Sequence, residues 1–146
     1  MITIEDIEKE WEKDCEINPV ELDKSALEIP LLHNKYLKIY NKVRLDILQL
    51  EDKMADEVKL KTLYYSGKLS KEELDDAGLE PFPIKVLRND IKTYLESDQA
   101  VKRFNTKIEY SRVVLDYLKS IIDSINKRNF SIKAAIDWRK FTSGEA

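Results

Sequence analysis

Three lysines and two tyrosines fall close together, at Lys59, Lys61, Tyr64, Tyr65 and Lys68. A lysine ammonium is a point charge suited to phosphate. A tyrosine ring is a flat face on which a nucleobase can stack. Lys61, Tyr64, Tyr65 and Lys68 are three and four residues apart, so they line one side of a helix, whereas Lys59 and Lys61 do not share a face. Ser66 and Gly67 end that helix and send Lys68 in a new direction. The stretch 58–68 is therefore a candidate nucleic-acid site. The competing reading packs the tyrosines into the core and leaves the lysines to solubilise the helix end. Arg88, Lys92, Lys102, Arg103 and Lys107 are further cationic candidates.

No other chemistry is legible. There is one histidine, His33, and one cysteine, Cys15. No glycine-rich phosphate loop occurs, and His, Cys and carboxylates are not set at metal-ligand spacing. The sequence predicts no enzyme, no cofactor and no metal. Cys15 reads as a small core residue. A single cysteine forms no internal disulfide and suits a reducing compartment.

The elements that must position the lysines and tyrosines are helical. Charged residues make up 36% of the 146 residues and glycine and proline are few, which favours long helices in one all-α domain. Thr3 and Asp6 form a helix-start signal, and Ile4, Ile7, Trp11 and Cys15 share a face of a helix over about 4–16. Asn18-Pro19 breaks it, and residues 22–29 allow one or two further turns. Pro30 can sit in the first turn of a helix that then runs to Ser66. In it Tyr36, Tyr40, Val43, Ile47, Leu50 and Met54 alternate steps of four and three, over a length approaching about 50 Å. Ser70 and Glu73 form a capping box for a short helix ended by Gly78. Pro81-Phe82-Pro83 is an extended connector. A helix is expected over 86–97, and Asp98 with Ser97 can cap the next one.

That next helix carries the longest regular pattern. Val101, Phe104, Ile108, Ser111, Leu115, Leu118, Ile122 and Ile125 form a coiled-coil-like seam, with Val113, Val114, Tyr117 and Ile121 as a second apolar flank. One seam can be satisfied within the protomer; a second flank suggests a neighbouring chain. Asn129 is read as a left-handed stop. Phe130, Ile132, Ala135, Ile136, Trp138 and Phe141 then make a strongly apolar C-terminal element, and residues 142–146 are expected to fray. The N-terminal part, 1–77, thus carries the candidate site, and 84–141 carries assembly.

Charge is uneven along the chain. Residues 1–28 hold ten acidic and three basic side chains; residues 102–141 hold ten basic and four acidic. The acidic end suits a basic protein surface or the chain's own basic half, and the basic end suits nucleic acid or an acidic partner. No run of about 18 apolar residues occurs, so no membrane span is expected. The acidic start does not resemble a signal peptide.

Ordered landmarks along the chain carry a specific resemblance. They are Glu12-Lys13-Asp14, Lys35-Tyr36-Leu37, Lys59-x-Lys61-x-x-Tyr64-Tyr65-Ser66-Gly67, Leu115-Asp116-Tyr117, the block from Ile125 to Lys133, and Arg139-Lys140-Phe141. In these the sequence resembles the UvsY recombination mediators of large tailed phages over most of its length, the segment 68–83 matching poorly. The resemblance implies an all-helical protein that forms a ring-like homo-hexamer or homo-heptamer through its C-terminal region. It implies single-stranded DNA binding, and loading of a UvsX-type recombinase onto strands covered by the phage single-stranded DNA-binding protein. That activity belongs to recombination, repair and replication in the cytoplasm of the infected bacterial host. The family's basic pair falls on Lys59 and Lys61. The assembly residues expected are Val114, Leu115, Leu118, Ile121, Ile122, Ile125, Phe130, Ile132, Ile136, Trp138 and Phe141. The family's corner glycine is Asn129 here, a residue that tolerates the left-handed conformation. The alternative is a coiled-coil adaptor that binds only protein.

Overall fold

The computed structural model describes residues 1–144. Among them the chain is all-α, with no strand. In order the helices are α1 (Ile4–Asp14), α2 (Leu22–Leu27), α3 (Ile29–Tyr65), α4 (Lys71–Ala77), α5 (Ile91–Ser97), α6 (Gln99–Asn126) and α7 (Arg128–Thr142), with a 3₁₀ turn at Arg88–Asp90 before α5. Two compact units form. The first is Met1–Leu45 with Arg112–Ala146, and the second is Asp46–Ser111. The connector at 78–83 lies within the second unit, and α3 and α6 each contribute to both.

Local signals set the helix ends. The Thr3 hydroxyl accepts from the Asp6 N–H at 3.2 Å, and the Asp6 carboxylate accepts from the Thr3 N–H at 3.3 Å, closing a capping box on α1. Ser70 and Glu73 do the same for α4. Pro30 lies in the first turn of α3, where no N–H is required. At the end of α3 the Lys68 N–H donates to the Leu63 carbonyl at 2.9 Å, and the Gly67 N–H to that of Tyr64 at 3.1 Å. With Gly67 at φ +72°, this is a Schellman stop.

In the first unit the buried apolar residues are Ile7, Leu22, Tyr36 and Val43 with Val114, Leu118, Ile121, Ile125 and Ile132; in the second they are Ile47, Val101 and Ile108. The two heptad-like patterns are thus real and face inward. Tyr40, Leu50, Met54, Phe104, Leu115 and Ile122 are half-buried along the same faces.

Several expectations are corrected. Cys15 is exposed rather than in the core, because α1 ends at Asp14 and leaves it as the C-cap. The helix expected from Val86 begins only at the 3₁₀ turn. Asn129 is not a left-handed stop: no described non-glycine residue has positive φ, and Asn129 lies inside α7. The corner is made at Lys127 in a right-handed conformation, φ −88° and ψ −6°. At the C-terminus α7 holds to Thr142, followed by Ser143 as its cap; Glu145 and Ala146 lie outside the described residues.

Candidate nucleic-acid interface

The end of α3 carries Lys59, Lys61, Tyr64 and Tyr65, Lys68 follows its Gly67 stop, and the structure divides these residues into two groups. Lys59 and Lys68 are exposed and pair with no described carboxylate. Lys61 is different. Its side chain is only 12% exposed, with Nζ 2.8 Å from Asp98 Oδ2 and 3.6 Å from Glu57 Oε1. The Tyr65 hydroxyl donates to the same Asp98 oxygen at 2.7 Å. The other oxygen of Asp98 accepts from the N–H groups of Ala100 and Val101, at 3.0 and 3.1 Å, and so caps α6. One buried carboxylate therefore takes four donors and ties the end of α3 to the start of α6. Burial alone would raise the Asp98 pKa; the bonds from Lys61, Tyr65 and Val101 outweigh it and hold the carboxyl below its usual range. Burial first, and then this charge, push the Tyr65 hydroxyl up.

The tyrosines pack rather than stand free. Tyr64, Tyr65, Phe82 and Tyr94 form a cluster, with ring centroids 5.0 Å apart for Tyr65 and Phe82 and 5.6 Å for Phe82 and Tyr94. The Tyr64 hydroxyl donates to the Glu80 carbonyl at 2.7 Å. Beside this cluster lies a cleft of about 500 Å³, bounded by the end of α3 and the Pro81-Phe82-Pro83 connector. Of the five residues expected to bind a strand, Lys59 and Lys68 are available. Tyr64 is half available at the cleft, and Lys61 and Tyr65 are engaged within the fold. Sequence reasoning missed Asp98, Phe82 and Tyr94. Asp98 was readable as a helix cap, but its second oxygen reaches across 37 residues to Lys61.

The acidic N-terminal helix is also partly engaged. Lys35 Nζ lies 2.8 Å from Glu10 and 2.6 Å from Asp14, whose carboxylate also accepts from the Tyr36 hydroxyl at 2.8 Å. Burial opposes ionisation of Asp14, and the bonds from Lys35 and Tyr36 overcome it, so its pKa is lowered. The buried guanidinium of Arg128 donates to the Asp14 carbonyl at 2.7 Å and lies over the Trp11 ring. The acidic end thus meets residues of its own chain through Glu10 and Asp14.

The assembly residues separate as cleanly. Val114, Leu118, Ile121, Ile125 and Ile132 are 0–3% exposed. They are core residues of the protomer and have no surface to offer a partner; of the second flank of α6, Val114 and Ile121 are buried, Tyr117 is half-buried and Val113 is exposed. Leu115, Ile122 and Ile136 are half-buried. Phe130, Trp138 and Phe141 are 65–76% exposed, and the last two stack on one another at 5.8 Å. Three large rings open to solvent on one short helix form an apolar surface of the kind that marks an interaction site.

A family model described as recombination, repair and ssDNA binding protein UvsY matches residues 10–145. The chain belongs to the UvsY family. It is 28% identical over 142 residues to the recombination protein uvsY of Enterobacteria phage T4, covering 97% of this chain and 98% of that one. It is similar to crystal structures of the bacteriophage T4 recombination mediator protein UvsY. One lattice form gives a TM-score of 0.84 at 26% identity, covering 98% of this chain and 99% of that one. A second gives 0.85 at 26% identity, covering 96% and 99%. The all-α fold and the mediator family expected from the landmarks are those found. Among the described residues of this UvsY-family chain, no helix is long and apolar enough to cross a membrane.

Proposed function

We propose that this UvsY-family protein is a non-enzymatic mediator that binds single-stranded DNA as a homo-oligomer. It loads a UvsX-type recombinase onto strands covered by single-stranded DNA-binding protein, in the host cytoplasm. The observation that carries this reading is a division of labour on one chain: free cations at the end of α3 and open rings on α7. Lys59 and Lys68 are too few to hold a strand alone. Each phosphate neutralised on a single strand changes log affinity with log salt by about −0.7, so two contacts give a weak, salt-sensitive grip. A homo-hexamer or homo-heptamer assembled through Phe130, Trp138 and Phe141 repeats that grip along one strand by effective concentration, without new chemistry. Such a grip can be released stepwise, as a mediator requires.

The test is fluorescence anisotropy of a labelled oligo(dT) across a salt titration, with light scattering on the same samples. The reading expects an oligomer whose affinity falls steeply with salt. A flat anisotropy trace at low salt, with the oligomer intact, would favour a protein-only adaptor.

A further inference from the structure

The cleft at the end of α3 has an aromatic lining with cations beside it. Tyr64 and Phe82 pack edge to face, 5.8 Å between ring centroids and 64° between planes, and both line it. Phe82 is held between Pro81 and Pro83, whose rings fix the connector's φ angles. Tyr64 is oriented by its bond to the Glu80 carbonyl. This aromatic lining is therefore set before any ligand arrives. Gly67 also lines the cleft, and a Cβ built there would meet nothing within 4 Å, so this side is open space. Lys85 lines the same cleft and is exposed, and the exposed Lys68 directly follows Gly67.

From this geometry we infer that the cleft takes one unpaired nucleobase of a bound single strand, with its ring against Tyr64 and Phe82. The neighbouring phosphates then lie against Lys85 and Lys68. The inference rests on the strand-binding reading above and gives it a location. A volume of about 500 Å³ is within the range of small-molecule sites. Aromatic walls suit any base, because every base has a π-face, so little sequence preference follows. A paired base would first have to leave its stack, which disfavours duplex. The cations at the cleft favour a nucleotide over an apolar peptide side chain, which would leave them unmatched.

The experiment compares oligo(dT) with an abasic strand of the same length, using the full chain. Wild type is expected to bind oligo(dT) at least about fivefold more tightly, the low end of what one stacked base contributes. Phe82→Leu removes the ring while keeping an apolar side chain between the two prolines, and is expected to reduce the preference for oligo(dT) over the abasic strand. Equal wild-type affinity for both strands would overturn the cleft but leave strand binding standing. A preference undiminished in Phe82→Leu, with helicity by circular dichroism as in wild type, would also overturn the cleft, and no binding to either strand would overturn both readings. Photocrosslinking of wild type to a 5-iododeoxyuridine oligonucleotide needs no variant. Adducts on Tyr64 or Phe82 support the cleft, and adducts confined to other residues contradict it.

Discussion

Replacing Asp98 with alanine should do more damage than any other single truncation at the α3–α6 junction within the second unit. The side chain is 4% exposed and takes four donors, from Lys61, Tyr65, Ala100 and Val101. Loss of an N-cap costs about 0.5–2 kcal/mol. Leaving one partner of a buried ion pair alone costs about 3–5 kcal/mol. These terms overlap, and Lys61 keeps Glu57 at 3.6 Å and a 12% opening to solvent, so the total should sit near the low end, about 3 kcal/mol. With a urea m-value of about 2 kcal/mol/M, that moves the midpoint down by about 1.5 M. The assay is urea unfolding by circular dichroism at fixed protomer concentration, since assembly makes stability concentration-dependent. Lys61→Met in the Asp98→Ala background should recover about 1 kcal/mol or more, because the orphaned charge is gone. The pH dependence has a definite sign. The folded Asp98 pKa is below its unfolded value of 3.8, so its stabilisation is complete above that value and is lost as pH falls through the folded one. Asp98→Ala should remove that part of the acid dependence. A loss under about 1 kcal/mol, with strict additivity to Lys61→Met, would refute the reasoning.

Other outcomes follow from the same geometry. Lys59→Ala should leave the melting temperature unchanged and flatten the salt slope of oligonucleotide binding, whereas Lys61→Ala should lower the melting temperature because it strands Asp98 in the interior. A double Lys59→Ala, Lys61→Ala protein therefore mixes two effects, which thermal unfolding separates from anisotropy. Gly67→Ala should cost about 1–2 kcal/mol by unfolding, from its positive φ alone, since space for the Cβ is open. Asp14→Ala should destabilise the first unit, because Lys35 and Tyr36 lose their shared acceptor; an unchanged urea midpoint would count against that network.

Much of the fold was legible because its signals are local. Thr3 with Asp6, Ser70 with Glu73, and Gly67 and Gly78 all act within four residues of themselves, and the apolar spacings of α3 and α6 mark buried faces directly. The site was harder to read because its decisive partners are distant in sequence. Lys61 has the type and spacing of a phosphate contact; only the fold brings Asp98 to it and turns a free cation into an internal tie. The pairing of Tyr65 with Phe82 and Tyr94 likewise depends on where the proline-framed connector returns. Asn129 shows the opposite error. Its propensity for a left-handed turn was real, but packing of α7 through Ile132 and Arg128 continues the helix through it. Periodicity also could not say which apolar face of α6 the protomer keeps. Only burial separates Val114 and Ile121 from the open rings of α7.

Trp138→Ser with Phe141→Ser isolates the role of the α7 surface, because both rings are exposed and their loss leaves the buried core intact. Light scattering and oligo(dT) anisotropy on this variant, with helicity checked by circular dichroism, measure assembly and binding together. Cooperation between copies requires a folded, smaller species whose strand affinity has dropped by about a hundredfold or more, the scale on which linked sites gain over single ones. A folded monomer that still grips the strand as tightly as wild type would contradict it.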